Sequence, residues 1–185
     1  MDARAYVEAH AREFIDDLKQ WLAIPSISAD PIHHKDVRRS AEWLARHLST
    51  IGFPVAEVLQ TAPDGLPAMF AEWPAADPMA PKVLLYGHHD VQPVEPIEEW
   101  ESPPFEPAER GGLLLGRGAS DDKGSGPEAD LADILGAPLV FTGIALDSNQ
   151  IHAPNERIDL SLLLRGAKVS AYLWEELASV ASDLK

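Results

Sequence analysis

The sequence predicts a mixed α/β fold. Two amphipathic helical patterns open the chain, short apolar runs bounded by Pro- and Gly-rich loops follow, and a third helical pattern closes it. Strands interleaved with helices are the signature of layered α/β architecture.

The first helix is predicted over 5–24, where Val7, Phe14, Leu18, Trp21 and Leu22 recur on one side and Pro25 stops the pattern. SISADP then reads as a loop. A second helix is predicted over 36–51, with Val37, Ala41, Leu44, Leu48 and Ile51 on its inner stripe and Gly52 where a C-terminal cap glycine belongs. Strand candidates follow at 54–61, 66–73 and 82–87, separated by polar, Pro-rich loops, and Leu113–Leu115 makes another. Ser125 suits the start of a helix holding Pro127 and Glu128 in its first turn and ending near Gly136. The apolar run 138–145 reads as a buried strand. The closing helix, 159–180, would bury Leu160, Leu163, Leu164, Ala167, Ala171, Trp174, Leu177 and Ala178.

Composition narrows the function classes. The chain has 185 residues, enough for one domain with a real core, and its 45% hydrophobic and 24% charged residues are ordinary for a globular protein. No apolar run approaches the roughly 18 residues that span a bilayer. The first residues are charged and amphipathic, unlike a signal peptide, so a cytoplasmic address is expected. Fifteen basic and 30 acidic residues give a net charge of −15, which argues against nucleic acid or an anionic membrane as partner. With no cysteine, the chain has no disulfide, thiolate–metal site or thiol nucleophile. Any metal must be held by His, Asp and Glu.

Three segments carry the candidate chemistry: KVLLYGHHDVQP at 82–93, GRGASDDKG at 116–124 and DSNQIHAPNER at 147–157. His88 can bind a metal while Asp90, one residue beyond His89, takes its other ring N–H and fixes the tautomer. Asp121 has two oxygens and could bridge two ions, and His152 could ligate the second. Two ions so placed stabilise both an attacking hydroxide and a developing oxyanion. By spacing alone, the same residues also fit surface-loop histidines and turn or cap aspartates.

YGHHDVQP, WESPPF, GRGASDDKG and IHAPNER occur in this order, and with them the chain resembles a family of dinuclear-zinc peptidases and deacylases. That family includes carnosinase-like dipeptidases, acetylornithine deacetylase and succinyl-diaminopimelate desuccinylase. YGHHDVQP and APNER resemble the dipeptidase branch most, and WLAIPSISAD is similar to the family's opening helix and loop. The resemblance implies a three-layer α/β/α catalytic domain with a central mixed sheet and two Zn2+ ions, Co2+ or Mn2+ being alternatives. It makes His88 a ligand of one ion, His152 a ligand of the other, Asp121 the bridge and Asp90 the residue that orients His88. Asp122 falls on a commonly acidic neighbour. Glu156 falls on the glutamate of the late motif, for which a structural hydrogen-bonding role stands beside a catalytic one. Arg117 and Lys123 would hold the loop, His89 would line the pocket, and Trp100 and Phe105 would pin the Pro-rich loop. His10, His33, His34 and His47 match nothing and read as surface histidines.

The resemblance also shows a gap. Between the bridging aspartate and the late histidine, family members carry a Glu-Glu pair, a further acidic ligand and a lid domain. The first glutamate of that pair is their general base. Here about 30 residues intervene, and Asp122, Glu128, Asp130, Asp133 and Asp147 are their only acids. Glu98-Glu99 and Glu175-Glu176 lie elsewhere. The junction falls near Gly124, so a single domain, 1–185, is expected from segments 1–124 and 125–185 joined by an internal deletion. The expected function is metal-dependent hydrolysis of a peptide or amide bond in a dipeptide or N-acyl amino acid. Losing the base impairs it by roughly 10²–10⁴-fold. The alternatives are a non-catalytic remnant of such an enzyme, or a metal-binding or oligomerising module, and a homodimer is compatible with each.

Overall fold

The computed structural model describes residues 2–121, 140 and 143–180. The helix expected after Ser125, and most of the strand expected at 138–145, lie outside them.

The opening helical pattern forms two helices, α1 (Ala3–Ala9) and α2 (Ala11–Leu22), instead of one. Asp2 caps α1 by accepting from Ala5 N at 2.8 Å. The break falls at His10, whose ring stacks on Tyr6 at 3.9 Å and whose Nδ1 sits 2.9 Å from Tyr6 O. Helix α3 (His34–Thr50) buries Val37, Ala41 and Ala45. It ends at Gly52, whose φ of +108° lets Phe53 N reach back to Leu48 O at 3.0 Å.

Strands β1 (Val55–Gln60) and β2 (Pro67–Glu72) form an antiparallel hairpin, with Val55 opposite Glu72, that packs against α3. A second antiparallel sheet has β4 (Leu113–Leu115) at its centre, between β3 (Ala108–Arg110) and β5 (Arg157–Asp159). Leu114 faces Glu109 on one side and Ile158 on the other. Strands β3 and β5 are too short and too charged to show an apolar run, which is why periodicity missed both. Helix α4 (Leu160–Val180) follows β5 directly.

The α/β class is as expected, but among the described residues the strands form two antiparallel sheets and not one central mixed sheet. The clearest departure is 82–87, which is in no strand. Val83, Leu84, Leu85 and Tyr86 stand exposed there. An apolar run becomes a strand only where neighbours complete its ladder and cover its faces. Helix α4 departs similarly: none of its side chains is buried, and Trp174 is exposed.

The core sits beneath the second sheet. Leu22, Leu114, Ala119 and Ile158 form its buried cluster, with Leu18, Ile144, Leu160 and Leu163 packed against it. Ala119 belongs to the Gly-Arg-Gly-Ala-Ser turn, so the core directly supports the loop ending in Asp121.

Candidate metal centre

Two short connections aim the chemistry-bearing residues. Strand β4 runs into the turn 116–121, and the loop 150–156 runs into β5, its neighbour. Pairing of Leu115 with Arg157, continued by Gly116 N donating to Glu156 O at 3.0 Å, places the two connections side by side. His152 thereby comes to 2.7 Å from Asp121, measured from Nε2 to Oδ1. His88 reaches the same oxygen from the other segment, its Nε2 at 3.9 Å.

His88 is held from behind. Its Nδ1 lies 2.9 Å from Asp90 O and 3.2 Å from Asp90 Oδ1. With the proton on Nδ1, Nε2 carries the lone pair that faces Asp121. The Asp90 carboxylate bonded to that ring holds the His88 imidazole above its ordinary range, against the opposing effect of burial.

The backbone beneath His88 is fixed by serines. Ser26 Oγ and Ser40 Oγ both donate to His89 O, at 2.8 and 2.9 Å, and Trp21 Nε1 donates to Ser40 Oγ at 2.8 Å. Val91 N donates to Ser26 O at 3.0 Å, and Ser28 Oγ donates to Asp90 Oδ2. Sequence reasoning passed over these serines. Their signal was the Ser-x-Ser spacing of PSISAD, which puts Ser26 and Ser28 on one side of an extended segment.

Asp121 is the meeting point. Its side chain is wholly enclosed, and Oδ2 is buried with no hydrogen-bond partner among the described residues. A buried carboxylate oxygen without a donor is costly, and a bound cation relieves it. The donors that the structure brings together are His88, Asp121 and His152, both imidazoles approaching Asp121 Oδ1. They do not complete a metal shell: among the described residues no group of three or more His, Asp or Glu side chains is arranged to hold an ion.

The other candidates have structural partners or stand aside. Glu156 and Arg117 are fully buried and paired at 2.9 Å. Trp100 Nε1 donates to Val94 O at 2.8 Å, and the Arg117 guanidinium lies over the Trp100 ring. His89 Nε2 sits 3.1 Å from Pro67 O. His33 pairs with Asp36, and His10 and His47 stack on Tyr6 and Trp43. Asp122 and Lys123 lie outside the described residues. A cleft of about 460 Å³ opens between α1 and α4, lined by Asp2, Arg4, Glu8, Lys168 and Tyr172, and contains none of the metal-centre residues.

The model of peptidase family M20/M25/M40 matches residues 84–129, the stretch that holds His88, Asp90 and Asp121. Over that stretch the chain is similar to this family. It is 37% identical over 129 residues to Beta-Ala-His dipeptidase of Rattus norvegicus, covering 64% of this chain and 26% of the rat protein. Succinyl-diaminopimelate desuccinylase of Acidovorax ebreus (strain TPSY) is 32% identical over 153 residues, 79% of this chain and 34% of that one. Among solved structures, human carnosine dipeptidase 1 superimposes with a TM-score of 0.58 at 30% identity, over 74% of this chain and 32% of its own. The α/β fold is thus shared with these peptidases. The chain spans 26% and 34% of the length of these two curated relatives.

Proposed function

We propose that this chain is the metal-binding frame of a metal-dependent hydrolase acting on the peptide or amide bond of a dipeptide or N-acyl amino acid, with slow turnover in its present form. The observation that carries the reading is Asp121 Oδ1 lying within 2.7 Å of His152 Nε2 and 3.9 Å of His88 Nε2. His88 and Asp121 would hold one ion, and His152 and Asp121 the other. Bound Zn2+ supplies a Lewis acid for the scissile carbonyl and lowers the pKa of bound water. The chain's own residues do the positioning. Asp90 keeps the proton on Nδ1 of His88, and Ser26 and Ser40 hold the backbone between them.

Imidazole and carboxylate donors favour Zn2+, with Co2+ and Mn2+ as substitutes. The cytoplasm is the working compartment in this reading, and a small molecule is the substrate. No described helix is long and apolar enough to cross a membrane. The missing third donor for each ion supports a second reading, a non-catalytic remnant that keeps the frame and has lost the chemistry.

The test is hydrolysis of β-alanyl-histidine and of an N-succinyl amino acid with added Zn2+, Co2+ or Mn2+. Slow release above that of a His88→Ala control supports the hydrolase. Release equal to that control leaves the remnant.

A further inference from the structure

The loop bearing Asp121 and the loop bearing His152 are tied together by one buried ion pair. Glu156 stands four residues after His152, and its side chain has no exposed surface. Its Oε2 accepts from Arg117 Nη1 at 2.9 Å and from Gly118 N at 3.1 Å. Its Oε1 accepts from Ser120 N at 2.9 Å and Ser120 Oγ at 3.4 Å. Every one of these donors lies in the four residues that precede Asp121.

We propose that the Arg117–Glu156 pair is a latch that sets the His152–Asp121 juxtaposition. Both are positioning residues for the second metal-ion half, neither ligands nor acids. The inference rests on the reading of Asp121 and His152 as ligands. Three observations carry it.

The loop 150–156 needs outside support. Gln150, His152 and Asn155 all adopt left-handed backbone conformations, with φ of 54°, 63° and 62°. Non-glycine residues persist in that region only where their surroundings over-determine them. Asn155 supplies one anchor: its Oδ1 accepts from Glu101 N at 2.7 Å and its Nδ2 donates to Glu99 O at 2.9 Å. Glu156 supplies the other, through its bonds to Arg117, Gly118 and Ser120 in the Asp121 loop.

Arg117 is itself immobilised. Its backbone N donates to Pro104 O at 2.8 Å, and its guanidinium stacks over the Trp100 ring, 5.1 Å from the centroid. A fixed guanidinium makes a fixed point for Glu156.

His88 does not depend on the latch. Its segment is held through Ser26, Ser40 and the backbone of His89. Loss of the latch should therefore separate His152 from Asp121 while leaving the His88–Asp90 contact in place.

The experiment is proton NMR on the labelled, metal-free chain. It reads cross-peaks between the His152 ring and the Asp121 β protons, with His88 to Asp90 as internal reference. Glu156→Gln places an amide N–H₂ against donors, and Arg117→Lys keeps the charge without the planar fork. Val7→Ala, buried in α1, lowers stability without touching either loop. In Glu156→Gln the His152–Asp121 cross-peaks should disappear, in Arg117→Lys they should weaken, and in Val7→Ala they should persist. The reference cross-peaks should persist in all three. Should Glu156→Gln fail to fold, Arg117→Lys decides. Unchanged cross-peaks in the latch variants, equal loss in Val7→Ala, or their absence from the native chain would each overturn the latch. Zinc uptake by the native chain is measured separately, so failure to bind metal refutes the ligand reading and leaves the latch result standing.

Discussion

His152 and Asp121 are 31 positions apart in sequence and 2.7 Å apart in space. Pairing of β4 with β5 creates that contact, because each residue sits on the connection at one end of a strand in that pair. Leu114, at the centre of β4, is fully buried opposite Ile158. Leu114→Ala should cost about 2–5 kcal/mol, the range for truncating a buried leucine whose cavity does not collapse. Urea unfolding followed by tryptophan fluorescence checks it, and a cost below about 1 kcal/mol would mean that the strand pair is not the support of the site.

Gly118 is required by shape. Its φ is +85°, and a Cβ there would lie 2.7 Å from Val91 Cγ1 and 3.4 Å from Leu22 Cδ2. Gly118→Ala combines a left-handed backbone with overpacking, so it should destabilise by about 1–3 kcal/mol. Thermal unfolding measures this. The more specific outcome is weakened metal binding, since Val91 follows Asp90 directly.

Ser28 holds Asp90, and Asp90 holds His88. Partners that orient a metal-binding histidine typically carry about 10–100-fold in metal affinity. Ser28→Ala should weaken zinc binding by that factor with little change in stability. Isothermal titration reads the affinity, and an unchanged value would show that Asp90 needs no help from the opening loop.

Asp159 caps α4. Its Oδ1 accepts from Ser161 Oγ at 2.6 Å, Ser161 N at 2.7 Å and Leu162 N at 3.1 Å. The Ser161 hydroxyl first, and then the backbone amide of Leu162, hold its carboxyl below the ordinary aspartate range. A pKa depressed by folding adds stability that is fully present above the unfolded pKa, about 3.9. That stability is lost as pH falls through the folded pKa. Asp159→Ala should therefore lower helical circular dichroism at neutral pH, and its difference from the native chain should shrink in acid. A difference that stays constant down to low pH would contradict the charged cap.

Much of this was legible in the sequence because the relevant signals are local. Helix α3 and its Gly52 stop follow from apolar spacing and one glycine, and β4 from three consecutive leucines. His88, Asp90, Asp121 and His152 stood out by their chemistry just past apolar runs. What could not be read depends on neighbours. Residues 82–87 have the composition of a strand, yet composition cannot report that no strand pairs with them among the described residues. Strands β3 and β5 exist only because β4 lies between them. The role of Glu156 was equally hidden, since its four donors lie at 117–120, far away in sequence. The break at His10, where the ring stacks on Tyr6, is likewise not encoded by helical spacing.

The most direct measurement is zinc stoichiometry by equilibrium dialysis at saturating free metal, on the native chain and on His88→Ala, His152→Ala and Asp121→Ala. A shared carboxylate with one imidazole on each side predicts two ions per native chain, one in each histidine variant and none when Asp121 is removed. One ion or none in the native chain, or two ions retained without Asp121, would contradict the shared-carboxylate centre.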